Sequence, residues 1–231
     1  MHDICVVFDV DDTLYLEQDY VASGFRAVGD WAAMWLSIPD FGDRCVDLFQ
    51  SGHRGNIFNA ALESCGHPAP PDLISGLVAI YRSHHPKIAL LGDARLALDR
   101  IYAHWPIAVI TDGPVVAQSR KCEALELTKW ANPIVLTGTK GEAFHKPQQG
   151  AFDFVRTQIV AANYVYVADN PAKDFTAPRK LGWGSIRIRR ERGLHCTKAD
   201  ESIKPDVELP DCSNLPQILC GLVAIHKNLY H

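Results

Sequence analysis

Four acidic residues fall where two apolar runs give out: Asp9 and Asp11 in "VFDVDDT", and Asp169 and Asp174 in "VADNPAKD". If the chain stays extended past Phe8, Asp9 and Asp11 point to the same side, because side chains two apart share a face. One carboxylate can then attack a phosphorus while the other handles protons at the ester oxygen. Two like charges about 4 Å apart cost roughly 4 kcal/mol at an effective dielectric of 20. Asp169 and Asp174 would make such a pocket untenable without cations. A hard, oxygen-seeking Mg²⁺ and the ammonium of Lys146, in "FHKPQQGAF", would supply them and would also hold a dianionic phosphate. Lys146, in a loop, is expected to matter to chemistry far more than to folding. Thr111, Asp112 and Gly113 open "TDGPVVAQ", a turn leading into a helix. The Thr111 hydroxyl and the free N–H groups of that helix start form an anion site. Gly113 permits close backbone approach, and Pro114 suits the first helical position.

Each residue alone has a plain structural explanation. An Asp after a strand forms turns, a Lys is usually solvated, and "DNPAKD" reads as a capped helix start. Their order along the chain, at the ends of strand-like runs, is what carries weight. Those runs are "ICVVF" (4–8), "IAVIT" (107–111), "PIVL" (133–136), "YVYVA" (164–168) and "GSIRI" (184–188). They are almost continuously apolar, as expected of parallel strands covered on both faces. Helix-like segments such as "PVVAQSRKCEALEL" and "PAKDFTAPRKLG" separate the later ones, which argues for an α/β, doubly wound, Rossmann-like parallel sheet. In such sheets chemistry gathers beyond the carboxyl ends of the strands.

About a hundred residues lie between the first two runs, far beyond an ordinary crossover. "YVASGFRAVGDWAAMWL" places Val21, Phe25, Val28, Ala32 and Trp35 at helical spacing. "NIFNAALESCG" ends on Gly66, and "PPDLISGLVAIYRSHH" starts with prolines. Residues 17–85 therefore read as an inserted α-helical domain, with 1–16 and 86–231 as the α/β core and Asp93 or a neighbour opening the next core helix. Within the insertion, Arg54 in "SGHRGN" is the residue suited to pair with a second anionic group of a ligand. The polar stretch 187–206, with Arg187, Arg189, Arg190 and Arg192, reads as a surface loop before a strand-like "DVEL" and a C-terminal helix.

Composition narrows the classes. With 47% hydrophobic residues the chain can bury a sizeable core, and a net charge of −4 without a basic block speaks against nucleic acid as a partner. Seven cysteines with no C-x-x-C pair suit reduced thiols rather than zinc or disulfides. No run is long enough for a signal peptide or membrane span, so the expectation is a cytoplasmic protein without a membrane partner. Nothing in the sequence speaks to its oligomeric state.

"DVDDT" with Thr111, "HKP" and "DNPAKD" resembles the four-motif signature of the haloacid dehalogenase superfamily, specifically its phosphohydrolases with a helical cap after the first motif. That resemblance implies Asp9 as nucleophile, Asp11 as general acid/base, Thr111 as phosphate ligand and Lys146 as the cation steadying both. It also implies Mg²⁺ held by Asp9, the backbone carbonyl of Asp11, and Asp169, with Asp174 in support. Ala168 stands where many relatives have Gly. The implied reaction is hydrolysis of a small phosphorylated metabolite: a sugar phosphate, phosphoglycolate or nucleoside monophosphate. A phosphomutase would carry the same motifs. A receiver domain shares the acidic cluster, Thr and Lys, but at about half this length and without an insertion. The superfamily's dehalogenases lack an acid two residues after the nucleophile, so Asp11 favours phosphoryl chemistry.

Overall fold

The computed structural model describes residues 2–196 and 204–221. Six strands form one parallel sheet: β1 (His2–Phe8), β2 (Ile107–Thr111), β3 (Ala131–Leu136), β4 (Ala161–Ala168), β5 (Gly184–Ile188) and β6 (Val207–Leu209). Their order is β3-β2-β1-β4-β5-β6, so the winding direction reverses between β1 and β4. Phe8 pairs with Val109 on one side and Val167 on the other, which aligns the ends of the three central strands. The Asp9 N–H still donates to the Val167 carbonyl at 2.9 Å, so the first aspartate leaves the sheet from a fixed register.

Both faces of the central strands are covered, which explains their unbroken apolar sequence. One face brings Cys5 and Val7, Ala108 and Ile110, and Tyr166 and Ala168 against α7 (Gly150–Gln158), through Ala151, Phe152 and Val155. Tyr166 packs edge-on against Phe152, with ring centroids 4.9 Å apart, and this fixes where its hydroxyl points.

The chain divides into two compact units, Met1–Glu17 with Ala89–His231, and Gln18–Ile88. The second is helical: α1 (Glu17–Trp35), α2 (Phe41–Gln50), α3 (Ile57–Ser64) and α4 (Pro71–Ser83). Val21, Phe25, Val28 and Ala32 of α1 meet Phe41 and Cys45, Phe58 and Leu62, and Leu77. Trp35, expected to continue that stripe, is instead 67% exposed at the last residue of the helix, so the buried stripe ends at Ala32. The α1–α2 contact is a backbone one: a Cβ on Gly29 would lie 2.8 Å from the Gly42 Cα. The sequence reading did not pick out α2, although Phe41, Cys45, Leu48 and Phe49 share one face of it and its acids Asp43 and Asp47 lie on the other.

In the first unit α5 (Gly92–Tyr102) carries Asp93 in its first turn, and α6 (Val115–Ala124) follows β2. "DNPAKD" is a turn rather than a helix start: Asn170 Oδ1 accepts the Ala172 N–H at 3.0 Å, and α8 begins only at Thr176 (Thr176–Lys180). The arginine stretch also departs from expectation. Arg187 and Arg190 are buried and tied to backbone carbonyls, while 197–203 of the expected loop lie outside the described residues. The expected C-terminal helix is present over 215–221, where the described residues end.

Candidate active site

The end of β1 delivers Asp9, the end of β4 delivers Asp169, and the turn after it delivers Asp174. All three are buried, and one carboxylate oxygen from each lies within 4.8 Å of the others. Lys146 enters this group from the loop before α7. Its Nζ lies 2.6 Å from Asp9 Oδ1 and 2.7 Å from Asp174 Oδ1, and donates to the Tyr166 hydroxyl at 3.1 Å. Tyr166 in turn donates to Asp174 Oδ1 at 3.2 Å, and the Asn170 N–H donates to Asp174 Oδ2 at 3.1 Å. Lys146 is thus 6% exposed and locked between carboxylates, so it bears on stability as well as chemistry, contrary to the expectation for a loop lysine.

Electrostatics follow from this crowding. Burial pushes Asp9 up, Lys146 opposes it, and Asp174 adds to the rise, leaving the carboxyl at about 6. Asp169 is driven well above the carboxylate range by burial and by Asp9 and Asp174. Lys146 is carried well above its ordinary value despite burial, because Asp174 and Asp9 sit against it. Three carboxylates face one ammonium, which leaves two negative charges uncompensated when all ionise. An all-oxygen donor set with that deficit fits a hard divalent cation. Asp169 fits best as a ligand, since its carboxylate accepts no hydrogen bond among the described residues.

Asp11 stands apart from that cluster. Lys121 Nζ lies 2.7 Å from its Oδ1 and 2.9 Å from its Oδ2, Tyr15 donates to Oδ1, and Gln118 Nε2 donates to Oδ2 at 3.2 Å. Burial raises its pKa, but Lys121 and these hydrogen bonds outweigh it and bring the group below its ordinary value. Gln118 also accepts from the Thr111 hydroxyl at 2.9 Å and donates to the Asp112 carbonyl at 2.9 Å. Gly113 makes this possible, having φ of +142° and a Gln118 Nε2 that would lie 2.7 Å from any Cβ there. The Asp112 side chain turns to the lysine loop instead. It accepts from Thr137 Oγ1 at 2.5 Å and from the Lys146 N–H at 3.2 Å, so it places the loop that presents Lys146.

Arg54 belongs to the helical unit. Its Nη1 donates to the carbonyls of Phe49 and His53 at 2.7 Å each, and its guanidinium lies 4.0 Å over the Phe49 ring. Arg187 of β5 and Arg190 just after it hold backbone carbonyls beside the site. Arg187 Nε donates to the Asp169 carbonyl at 2.9 Å, and Arg190 donates twice to the Thr13 carbonyl, at 3.1 and 2.7 Å. Asp12, in left-handed backbone (φ +51°), accepts the N–H groups of Glu17 and Leu194 at 2.8 and 2.6 Å. Sequence reasoning missed Lys121, Gln118, Tyr15 and Tyr166. A signal existed for two of them: Gln118 and Lys121 fall one helical turn apart, beside the buried Ala117 and Cys122.

No protein-family model matches the chain. Among curated proteins it is similar to the glyceraldehyde 3-phosphate phosphatase of Methanocaldococcus jannaschii, 26% identical over 203 residues covering 79% of this chain and 83% of that one. Among solved structures it resembles the magnesium-bound HAD-hydrolase YfnB of Bacillus subtilis, with a TM-score of 0.69 at 18% identity over 95% of this chain and 99% of that one. It also resembles a 2-haloacid dehalogenase of Pseudomonas syringae, with a TM-score of 0.66 at 19% identity over 96% and 100%. The chain has the fold of these haloacid dehalogenase-like hydrolases. In this chain that fold is a parallel sheet interrupted after β1 by a helical insertion, with aspartates following β1 and β4.

Proposed function

We propose that the protein is a Mg²⁺-dependent phosphatase that hydrolyses a small phosphomonoester through an aspartyl-phosphate on Asp9. The observation that carries this reading is the pair of aspartates two residues apart in opposite surroundings. Asp9 lies beside Lys146, and Asp11 is held by its own set of partners. The curated relative named for a three-carbon phosphate points to the small-metabolite class, with sugar phosphates first, then phosphoglycolate and nucleoside monophosphates.

Asp9, Asp169 and Asp174 would hold the Mg²⁺, together with the Asp11 carbonyl. When bound it supplies positive charge that screens the carboxylates from the substrate's phosphate. The residues do the rest. Lys146 holds Asp9 in place and faces the transferring group. Thr111, with the N–H groups around Asp112 and Gly113, receives phosphate oxygens at the start of α6. An Asp9 oxygen attacks phosphorus as the P–O ester bond breaks, and Asp11 gives its proton to the departing alkoxide. Asp11 then takes a proton from the water that attacks the aspartyl-phosphate, whose Asp9–phosphate bond breaks to release inorganic phosphate. Asp11, held below its ordinary pKa by Lys121, takes the proton it later donates from solvent as the dianionic substrate binds and raises its proton affinity.

The test is phosphate release from an aryl phosphate and from a panel of metabolite esters, with Mg²⁺ and then with chelator. Metal-dependent release supports the reading. Equal rates in both conditions remove the metal assignment, isomerised sugar phosphate without free phosphate replaces hydrolysis with mutase chemistry, and halide release from 2-chloropropionate without phosphatase activity replaces both.

A further inference from the structure

The reaction as described uses Asp11 and Thr111 but leaves unexplained a second buried ammonium beside them. Lys121 and Gln118 sit one turn apart on α6, at 3% and 4% exposure. A lysine there loses its hydration, so the helix keeps it only where a carboxylate meets it. It meets both oxygens of Asp11, at 2.7 and 2.9 Å, while Gln118 joins the Asp11 carboxylate to the Thr111 hydroxyl through one amide. An extended chain leaves a carboxylate at Asp11 free to turn about χ1, and proton transfer requires one orientation toward the ester oxygen.

We propose that Lys121 and Gln118 are positioning residues for Asp11, fixing its carboxylate and linking its placement to that of the phosphate-binding Thr111. This rests on the phosphatase reading above. The phosphate oxygen that draws the Thr111 hydroxyl away frees the Gln118 Oε1 it had occupied. Gln118 can thereby sense that the site is filled while its Nε2 stays on Asp11. Lys121 acts through Asp11 and does not itself touch the ester.

The distinguishing measurement compares an alkyl ester, whose leaving group needs a proton, with an aryl ester, whose leaving group hardly does. Lys121→Gln is expected to lower kcat on the alkyl ester at least about tenfold more than on the aryl ester, with KM within about twofold. Lys121→Arg should recover part of that loss. Combined with Asp11→Asn, Lys121→Gln should add no further loss, because both changes remove one function. Multiplicative losses in the double variant would make Lys121 a substrate ligand and overturn the proposal, as would equal losses on the two esters. Should Lys121→Gln not fold, Gln118→Leu is measured on the same pair of esters, and an unchanged alkyl-to-aryl ratio in that variant also overturns it. If Asp11→Asn matches the unmutated enzyme on the alkyl ester, the phosphatase mechanism itself fails and this assignment falls with it. If Asp11→Asn is slow while Lys121→Gln is not, only the positioning role fails.

Discussion

Asp9 and Asp11 lie two residues apart, and each meets one buried lysine with a tyrosine close by, yet the two sets differ in charge. Lys146 is shared between Asp9 and Asp174, with Asp169 close by, and Tyr166 reaches the lysine rather than Asp9. Lys121 meets both oxygens of Asp11, and Tyr15 donates to that carboxylate directly. The first set has an excess of carboxylates and calls for a cation. In the second, Lys121 gives both contacts to one carboxylate, although Glu17 lies close enough for burial and Asp11 to push it up to about 7. Hence burial lifts Asp9 to about 6, whereas the same burial at Asp11 is overcome by Lys121 and the pKa falls. Neighbouring residues of one turn are thus shifted in opposite directions by how each lysine is shared.

The largest expected effect separates the two directly. Asp9→Asn should abolish turnover, by roughly 10⁴-fold or more, since an amide is a poor nucleophile. Asp11→Asn keeps the nucleophile, so with an aryl phosphate it should form the adduct and stall. Acid-quenched intact mass should then show one added phosphate on the peptide containing Asp9. An adduct mapped elsewhere would break the comparison. A long-lived adduct on the unmutated protein would point instead to a receiver-like role.

Next comes Lys146→Ala, which should lower kcat by about 10²- to 10³-fold. It should also destabilise the metal-free protein, by about 3 kcal/mol, because it leaves Asp9 and Asp174 buried without their shared cation. Added Mg²⁺ should restore part of the thermal midpoint but not the rate. An unchanged midpoint in chelator would mean that the carboxylates escape their crowding by protonation alone.

The excess charge was legible in the sequence, and the second set was not. Asp9, Thr111, Lys146, Asp169 and Asp174 could be read because each follows a strand or a recognisable turn, and the sheet order brings strand ends together whatever the loops do. Tyr15 and Tyr166 could not, because a polar residue in a loop or a strand interior looks the same whether solvated or paired. Lys121 and Gln118 showed only as two polar residues one turn apart beside apolar positions, with no sign of their partner. The arginines in and after β5 show the same blindness in reverse. As a charge run they suggested a wet surface, yet Arg187 and Arg190 are buried on the carbonyls of Asp169 and Thr13. The helical insertion was readable from α1, α3 and α4 because their apolar positions repeat. Helix α2 repeats in the same way, at Phe41, Cys45, Leu48 and Phe49, and was overlooked, while Trp35 is the last residue of α1 and falls outside the core.

A finer contrast comes from the tyrosines. Tyr166→Phe removes two buried hydrogen bonds around Lys146 and should cost about 1–2 kcal/mol of stability, lowering kcat severalfold on aryl and alkyl esters alike. Tyr15→Phe removes a bond to Asp11 itself and should slow the alkyl ester selectively. Identical ester dependence in the two variants would mean that the two sets are not functionally separate.

The smallest effect concerns the turn that carries both aspartates. Arg190 holds the Thr13 carbonyl and is itself held by Asp93, at 3.0 Å, which also accepts the Cys212 N–H at 2.8 Å. Burial pushes Asp93 up, but the Cys212 N–H and Arg190 outweigh it, so its folded pKa lies below the ordinary value. A carboxyl depressed on folding contributes stability that is present above its unfolded pKa, near 3.9, and is lost as pH falls through the folded value. Asp93→Asn should therefore be less stable than the unmutated protein by about 1–2 kcal/mol at pH 7, with the gap closing below about pH 4. Urea midpoints from pH 3 to 7 read this directly, and a gap that stays constant across the range would show that Asp93 acts by packing rather than charge. Thr13 is nearer in the chain to Asp11 than to Asp9, so the loosened turn should slow the alkyl ester about twofold and leave the aryl ester unchanged. Equal slowing of both would show that the turn moves as one body and that the separation of the two aspartates comes entirely from their side-chain partners.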